Sequence, residues 1–313
     1  MRVGVVFPGQ GSQNVGMGGA IAERYPVVAD LFARAERVLG YDLLQIVRAG
    51  PDEKLRETQF SQPAIYVVNY TLAVAAGDEL GAVATAGHSF GEFCSLTLAG
   101  ALDFEEALGL VRERGLAMQA AAERAHGAMA AVLGLGADDV RAAVAEARPA
   151  GRVQLANFNA PGQIVISGDR EAVAVASELA LAAGAKRVVP LNVSGAWHSE
   201  LMASASVRFA PFIERARIAE PRFDVISNVD AQPYRSVAAI RENLVRSVTE
   251  EVLWHATSER LVAAGLDHIV EFGGSAVLAP LLRRLPGAPK AVHVGDEKGV
   301  EKLRAQLGSP TTV

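Results

Sequence analysis

The chain reads as an α/β protein with a mainly parallel sheet, interrupted once by a small ferredoxin-like subdomain. Three observations predict this. Through the first two thirds, short apolar runs alternate with helix-like segments, the pattern of a sheet whose strands are joined by crossover helices. Two of those runs, Val3–Phe7 and Val83–Ala86, break into glycine-bearing turns that lead into helical stretches. Between residues 125 and 193 the order becomes strand, helix, strand, strand, helix, strand, the split motif of a ferredoxin-like unit. The predicted division is a large subdomain of 1–124 with 194–313, and an insert of 125–193.

Each element has its own signal. Val3–Phe7 is a short, fully apolar run, as a buried parallel strand requires. Residues 17–39 are helical with a break at Tyr25-Pro26. From Pro63 to about Leu80 an uninterrupted apolar stretch predicts a buried helix, and Val83–Ala86 the next strand. Residues 104–123 form a helix. In the insert, Met129–Leu135 is a strand and Ala137–Ala147 an alanine-rich helix. Val153–Asn157 and Gln163–Ser167 are strands joined by the turn-rich link Phe158–Gly162. Arg170–Ala183 is a helix and Arg187–Val193 the fourth strand. Helices around 199–217 and 237–248, a strand at His268–Phe272, a last helix near 275–285 and a frayed tail at Gly308–Val313 complete the prediction.

Bulk properties narrow the function. The 313 residues suffice for a large core. A net charge of −5 leaves no global basic footprint for nucleic acid. The single cysteine, Cys94, excludes an internal disulfide and a cysteine metal cage. No basic-then-apolar leader opens the chain, and no run reaches the roughly 18 apolar residues of a membrane span. A cytoplasmic protein with neither nucleic-acid nor membrane partners is expected.

The glycine-rich loop after the first strand, Pro8-Gly9-Gln10-Gly11-Ser12-Gln13-Asn14, resembles a phosphate cradle but fails both nucleotide tests. The third glycine of a dinucleotide fingerprint is Asn14, and Gly16 is followed by Met17 rather than lysine. The loop is either a turn that needs small residues or one wall of a reaction centre.

Gly87-His88-Ser89-Phe90-Gly91 supplies the chemistry such a centre needs. It is the only G-x-S-x-G in the chain, and it sits between a strand and a helix, the context of a nucleophile elbow. The turn exposes the serine hydroxyl at a helix N-terminus, where N–H groups face a developing oxyanion. Serine needs a base. Of six histidines, His198 lies in a loop between a strand and a helix, where scaffolds present functional side chains. His88 adjoins Ser89, so its side chain is expected to point away and pack.

On the helix 104–123, Ala107, Val111, Arg114, Met118 and Ala121 share one face. An arginine on that apolar stripe is costly to bury without a partner. It either snorkels or pairs with a core carboxylate, or it presents a planar fork to a substrate carboxylate.

Taken in order, Phe7-Pro8-Gly9-Gln10-Gly11-Ser12-Gln13, Gly87-His88-Ser89-Phe90-Gly91-Glu92, Arg114-Gly115, Asn157-Phe158-Asn159-Ala160-Pro161-Gly162-Gln163, Gly195-Ala196-Trp197-His198-Ser199 and Phe272-Gly273-Gly274 resemble the malonyl-CoA:acyl carrier protein transacylases. The resemblance extends to the related acyltransferases of polyketide synthases and spans essentially the whole chain. It implies an α/β-hydrolase-like large subdomain with the ferredoxin-like insert. It also implies malonyl transfer from malonyl-CoA to a phosphopantetheine thiol, in fatty-acid or polyketide biosynthesis, with no bound cofactor or metal.

Residue by residue, the resemblance makes Ser89 the acylated nucleophile and His198 its base. The backbone N–H groups of Gln10 and Phe90 form the oxyanion hole. Arg114 holds the malonyl carboxylate, and Gln62, Met118, Trp197 and Asn159 bind substrate around it. A backbone carbonyl, often of a glutamine or asparagine, orients the histidine in the family; that slot here is Ser247. Trp197 stands where related polyketide acyltransferases carry phenylalanine with malonyl or serine with methylmalonyl, so malonyl preference is expected. Lys186, Arg187, Arg283 and Arg284 match carrier-docking positions, basic groups suited to an acidic acyl carrier protein. A monomer is implied. Two rivals remain at this level. A serine hydrolase would share Ser89 and His198 but release the acyl group to water. A non-enzymatic carrier-binding protein would not need Ser89, His198 and Arg114 together.

Overall fold

Val3–Phe7 (β1) is buried along its whole length, because it is the middle strand of a parallel sheet covered on both faces. The computed structural model describes residues 1–77 and 80–307. The expected tail Gly308–Val313 and two residues of the expected 63–80 helix lie outside the described residues.

The other strands follow in chain order: Ala82–Gly87 (β2), Gly127–Leu133 (β3), Val153–Ala160 (β4), Gln163–Asp169 (β5), Arg187–Pro190 (β6), Asp224–Ile226 (β7), His268–Phe272 (β8) and Lys290–Val294 (β9). One sheet runs β7-β2-β1-β8-β9, all parallel. The second runs β4-β5-β3-β6, all antiparallel. The protein is thus α/β, with a parallel sheet and a separate antiparallel sheet built from the ferredoxin-like order of strands. The small sheet has its own core under two helices, where Val132, Ile164 and Ile166 meet Val140, Val144 and Val173. From its other face Met129 and Val165 pack with Ala196, Trp197 and the large core.

Register determines what meets at the carboxyl edge of the parallel sheet. Phe7 pairs with Gly87 and Ala86 with Ile226. The loops after β1, β2 and β7 therefore leave side by side, carrying Gln10, Ser89 and Asn228. Ligands of parallel α/β sheets gather at this edge.

Several boundaries differ from the sequence reading. The long buried helix is Thr58–Ala76, with Pro63 inside it rather than near its start; burial on nearly every side outweighs the proline's cost. The insert's second and third strands run on to Ala160 and Asp169, reducing the link between them to Pro161-Gly162. Its fourth strand ends at Pro190, freeing Leu191–Val193 for the cleft. The predicted last helix shrinks to Ala279–Leu282, and the chain continues through β9 and the helix Glu297–Leu307. Among the described residues no helix is long and apolar enough to cross a membrane.

Candidate active site

The elbow is built by close approach. A Cβ on Gly9 would fall 2.6 Å from the His88 carbonyl oxygen, and one on Gly91 would fall 2.4 Å from that of Phe7. Only glycine lets the first loop lie against the turn. Ser89 itself has a φ of 54°, a left-handed conformation that costs a non-glycine residue energy and recurs at functional sites. Asn228 stabilises that conformation. Its Oδ1 accepts the Ser89 N–H at 3.0 Å, and its Nδ2 donates to the Gly87 carbonyl at 2.8 Å. Behind it, the buried Glu92 carboxylate accepts from the Asn228 main-chain N–H and side-chain amide and from the Tyr234 hydroxyl.

His198 reaches Ser89 across the cleft, with Nε2 2.8 Å from Oγ. It also has a positive φ, 56°. Its Nδ1 lies 3.1 Å from the carbonyl of Glu250, which fixes the tautomer with Nε2 free to accept a proton. Ser247, the expected source of that carbonyl, lies on the same turn and shares the role. The acceptor in reach is three residues further along the same turn, and the Ser247 carbonyl adds a weaker pull. Burial, then the nearby Arg114 cation, depresses His198 to about 3, so the imidazole stays neutral through the physiological range.

Arg114 is 1% exposed, on the apolar face its spacing predicts. Nη1 donates to Gln62 Oε1 at 2.9 Å and Nη2 to Ser89 Oγ at 3.3 Å, while Nε has no partner. Among the described residues no carboxylate lies within ion-pairing distance. The core-carboxylate and snorkelling alternatives therefore both fail. A buried cation without a counterion, beside a serine hydroxyl, is a site for an anionic group. The Gln62 amide also touches Met118 Sδ at 3.5 Å.

The Gly11 N–H is taken by Gln13 Oε1 and the Ser89 N–H by Asn228. The N–H groups of Gln10 and Phe90 have no bonded acceptor among the described residues. They match the two main-chain donors expected from the sequence.

The cavity has a volume of about 670 Å³ and is lined by Gln10, Gln62, Ser89, Arg114, Met118, Trp197 and His198 among others. Two expectations change here. Asn159 does not line it; its Oδ1 sits 2.9 Å from His88 Nε2, while Asn157, on a strand whose register shifts at both Asn157 and Ala160, lines the cavity instead. His88 does not pack away from the site. It lines the cavity beside Ser89, held by Asn159 and by the tilted ring of Trp254 at 5.7 Å.

Of the four expected docking cations, Lys186 and Arg187 are exposed at the start of β6. Arg187 pairs with Leu133, Leu133 with Gln163, and Arg284 Nη1 reaches Gln163 Oε1 at 3.2 Å. Three cations thus share one end of the small sheet. Arg283 does not join them, since its Nε turns onto the Ala291 carbonyl of β9 at 3.0 Å.

A serine on an elbow at a parallel sheet's carboxyl edge, hydrogen-bonded to a buried histidine, defines the class of α/β proteins with a serine–histidine pair at that edge. Within that class the chain belongs to the acyl transferase domain family, which matches residues 5–291. It is 39% identical to the malonyl CoA-acyl carrier protein transacylase of Haemophilus influenzae, over 94% of this chain and 96% of that one. It is 40% identical to the protein of the same name from Escherichia coli K12, over 90% and 91%. Among solved structures it resembles the malonyl-transacylase of a type II PKS in complex with its acyl-carrier protein. That match has a TM-score of 0.93 and 38% identity, covering 98% of this chain and all of that one.

Sequence reasoning missed Asn228, the Glu250 carbonyl, Asn157 and the pocket position of His88. Asn228 follows a three-residue strand too short to read, and a main-chain carbonyl has no residue signature.

Proposed function

We propose that the protein is a malonyl-CoA:acyl carrier protein transacylase working through a malonyl ester on Ser89. The observation that carries this reading is Arg114, a buried cation with no counterion among the described residues and one guanidinium nitrogen bonded to the Ser89 hydroxyl. Malonyl has a free carboxylate to meet that cation and a thioester carbonyl for the serine.

In the first half-reaction His198 Nε2 takes the Ser89 proton as Oγ attacks the thioester carbonyl. The N–H groups of Gln10 and Phe90 stabilise the tetrahedral oxyanion. Collapse breaks the C–S bond, and His198 returns its proton to the departing CoA thiolate. In the second half the pantetheine thiol of the carrier gives its proton to His198 and attacks the seryl ester, and Ser89 leaves as the hydroxyl. Gln62 and Met118 set the position of the Arg114 fork. Trp197 is buried against the cavity and narrows the space beside the α-carbon, which favours malonyl over methylmalonyl. Acidic carriers approach over Lys186, Arg187 and Arg284.

The test is intact mass after seconds of exposure to malonyl-CoA, with Ser89→Ala alongside. The expected result is a malonyl adduct on the wild type only, discharged by holo-carrier protein, with methylmalonyl-CoA a poor substitute. Steady CoA release without an adduct, or comparable turnover of both esters, would overturn the corresponding part of the reading.

A further inference from the structure

His198 is held by more than the Glu250 carbonyl. Its left-handed backbone needs an anchor of its own, and that anchor comes from the antiparallel sheet. Gln154 stands on β4, opposite Ser167 of β5. Its Nε2 donates to two carbonyls, that of His198 at 3.2 Å and that of Thr249 at 3.1 Å. Its Oε1 accepts the N–H of Glu200 at 3.0 Å. One side chain therefore ties the histidine loop, at the His198 carbonyl and at Glu200 two residues on, to the turn whose next residue, Glu250, orients the ring.

The same strand holds that turn independently. Phe158 N–H donates to the Val252 carbonyl at 2.9 Å, and Val252 N–H donates to that of Ala156 at 2.8 Å. The turn is thus docked along the edge of β4, with Gln154 bolting the histidine onto it. Ser247, on the same turn, spends its hydroxyl on the Leu244 carbonyl, so its side chain does not bind the histidine loop.

We propose that Gln154 is a positioning residue for the base. Its carboxamide fixes His198 and the Glu250 carbonyl in one geometry, so the insert sets the aim of His198 Nε2 as well as forming a wall of the cleft. This rests on the assignment of His198 as the base of Ser89.

The geometry makes the two donated bonds the functional ones. Gln154→Leu keeps volume and loses all three contacts. Gln154→Glu keeps the acceptor for Glu200 N–H but turns a carboxylate oxygen toward two carbonyls. The rate constant for malonylation of Ser89 in a single turnover, and its half-saturating malonyl-CoA concentration, separate positioning from folding. Both variants are expected to lose about tenfold in rate constant at unchanged half-saturation, the scale of one or two lost hydrogen bonds. In the glutamate variant the deficit shrinks as pH falls from 8 to 5, because a protonated carboxyl has one O–H to donate. A scaffold role would lower thermal stability and leave both the rate per folded molecule and its pH dependence alone.

Phenylmethylsulfonyl fluoride gives a second readout, since it sulfonylates an activated serine without needing the malonyl site. If wild type is sulfonylated at Ser89 but never malonylated, the donor assignment falls while Gln154 is still judged by the sulfonylation rates. Variant rates within twofold of wild type overturn the positioning role. Reaction of wild type with neither reagent removes His198 as base, and the proposal with it.

Discussion

Arg114 and His198 are coupled, and the coupling has a direction. The guanidinium stands against Ser89 and helps hold the imidazole near a value of about 3. An anionic acyl group on Arg114 offsets part of that charge, so the base strengthens when the matching substrate is bound. Arg114 is itself lowered to about 10 by burial, with the Glu92 charge opposing, and stays cationic at neutral pH. Arg114→Ala should therefore cost malonyl transfer on the order of 100-fold in kcat/KM, the scale of a lost charge-assisted bond. Transfer of acetyl, which has no carboxylate, should fall far less. Kinetics with malonyl-CoA and acetyl-CoA check this, and an unchanged malonyl/acetyl ratio would remove Arg114 from the acyl site. Spacing alone put this residue on its apolar stripe with its purpose open, and the family resemblance supplied the carboxylate role. Spacing locates an arginine on a helix face; only three dimensions show that no carboxylate among the described residues pairs with it.

The strand–elbow–helix unit was the most legible element, because G-x-S-x-G between a strand and a helix is a local pattern. Its support was not legible, because Asn228, Tyr234 and Glu92 converge from separate segments. Glu92 makes that support pH-dependent. Burial raises its carboxyl from 4.5 to about 7, against the pull of Tyr234 and Asn228. A raised carboxyl binds protons more readily folded than unfolded between those values. Its contribution to stability is therefore full below about 4.5 and lost as pH rises through 7. Glu92→Gln keeps the shape and removes the charge. Urea midpoints at pH 5 and pH 8 should show wild type falling relative to the glutamine variant by an amount on the order of 3 kcal/mol. Parallel curves for the two proteins would mean that Glu92 titrates in the fold as it does unfolded and is already ionised across this range.

At the scale of the molecule, the cleft joins two sheets whose parts were legible to different degrees. The insert could be read because both its helices and three of its strands carry strong periodic signals. The last strand and helix of the large subdomain could not, because β9 is five residues at an edge and Glu297–Leu307 follows it within a short turn. Contacts between the large subdomain and the small sheet, such as Arg284 with Gln163, have no local signature at all. That contact matters for charge. It extends the basic end of the small sheet across the subdomain boundary in a chain whose net charge is −5, so an acidic partner meets a local positive surface on an otherwise repulsive body. Lys186 and Arg187 are its exposed, uncommitted part, and Arg187 shares a sheet face with Val189 and with the Leu191 stretch that lines the cavity. Reversing both, Lys186→Glu with Arg187→Glu, should raise the apparent KM for carrier protein about tenfold at low ionic strength. The gap should close as salt is added, because exposed charges further apart than a Debye length of about 10 Å at 0.1 M are screened. An apparent KM that matches wild type at low salt would move the docking surface elsewhere on the rim.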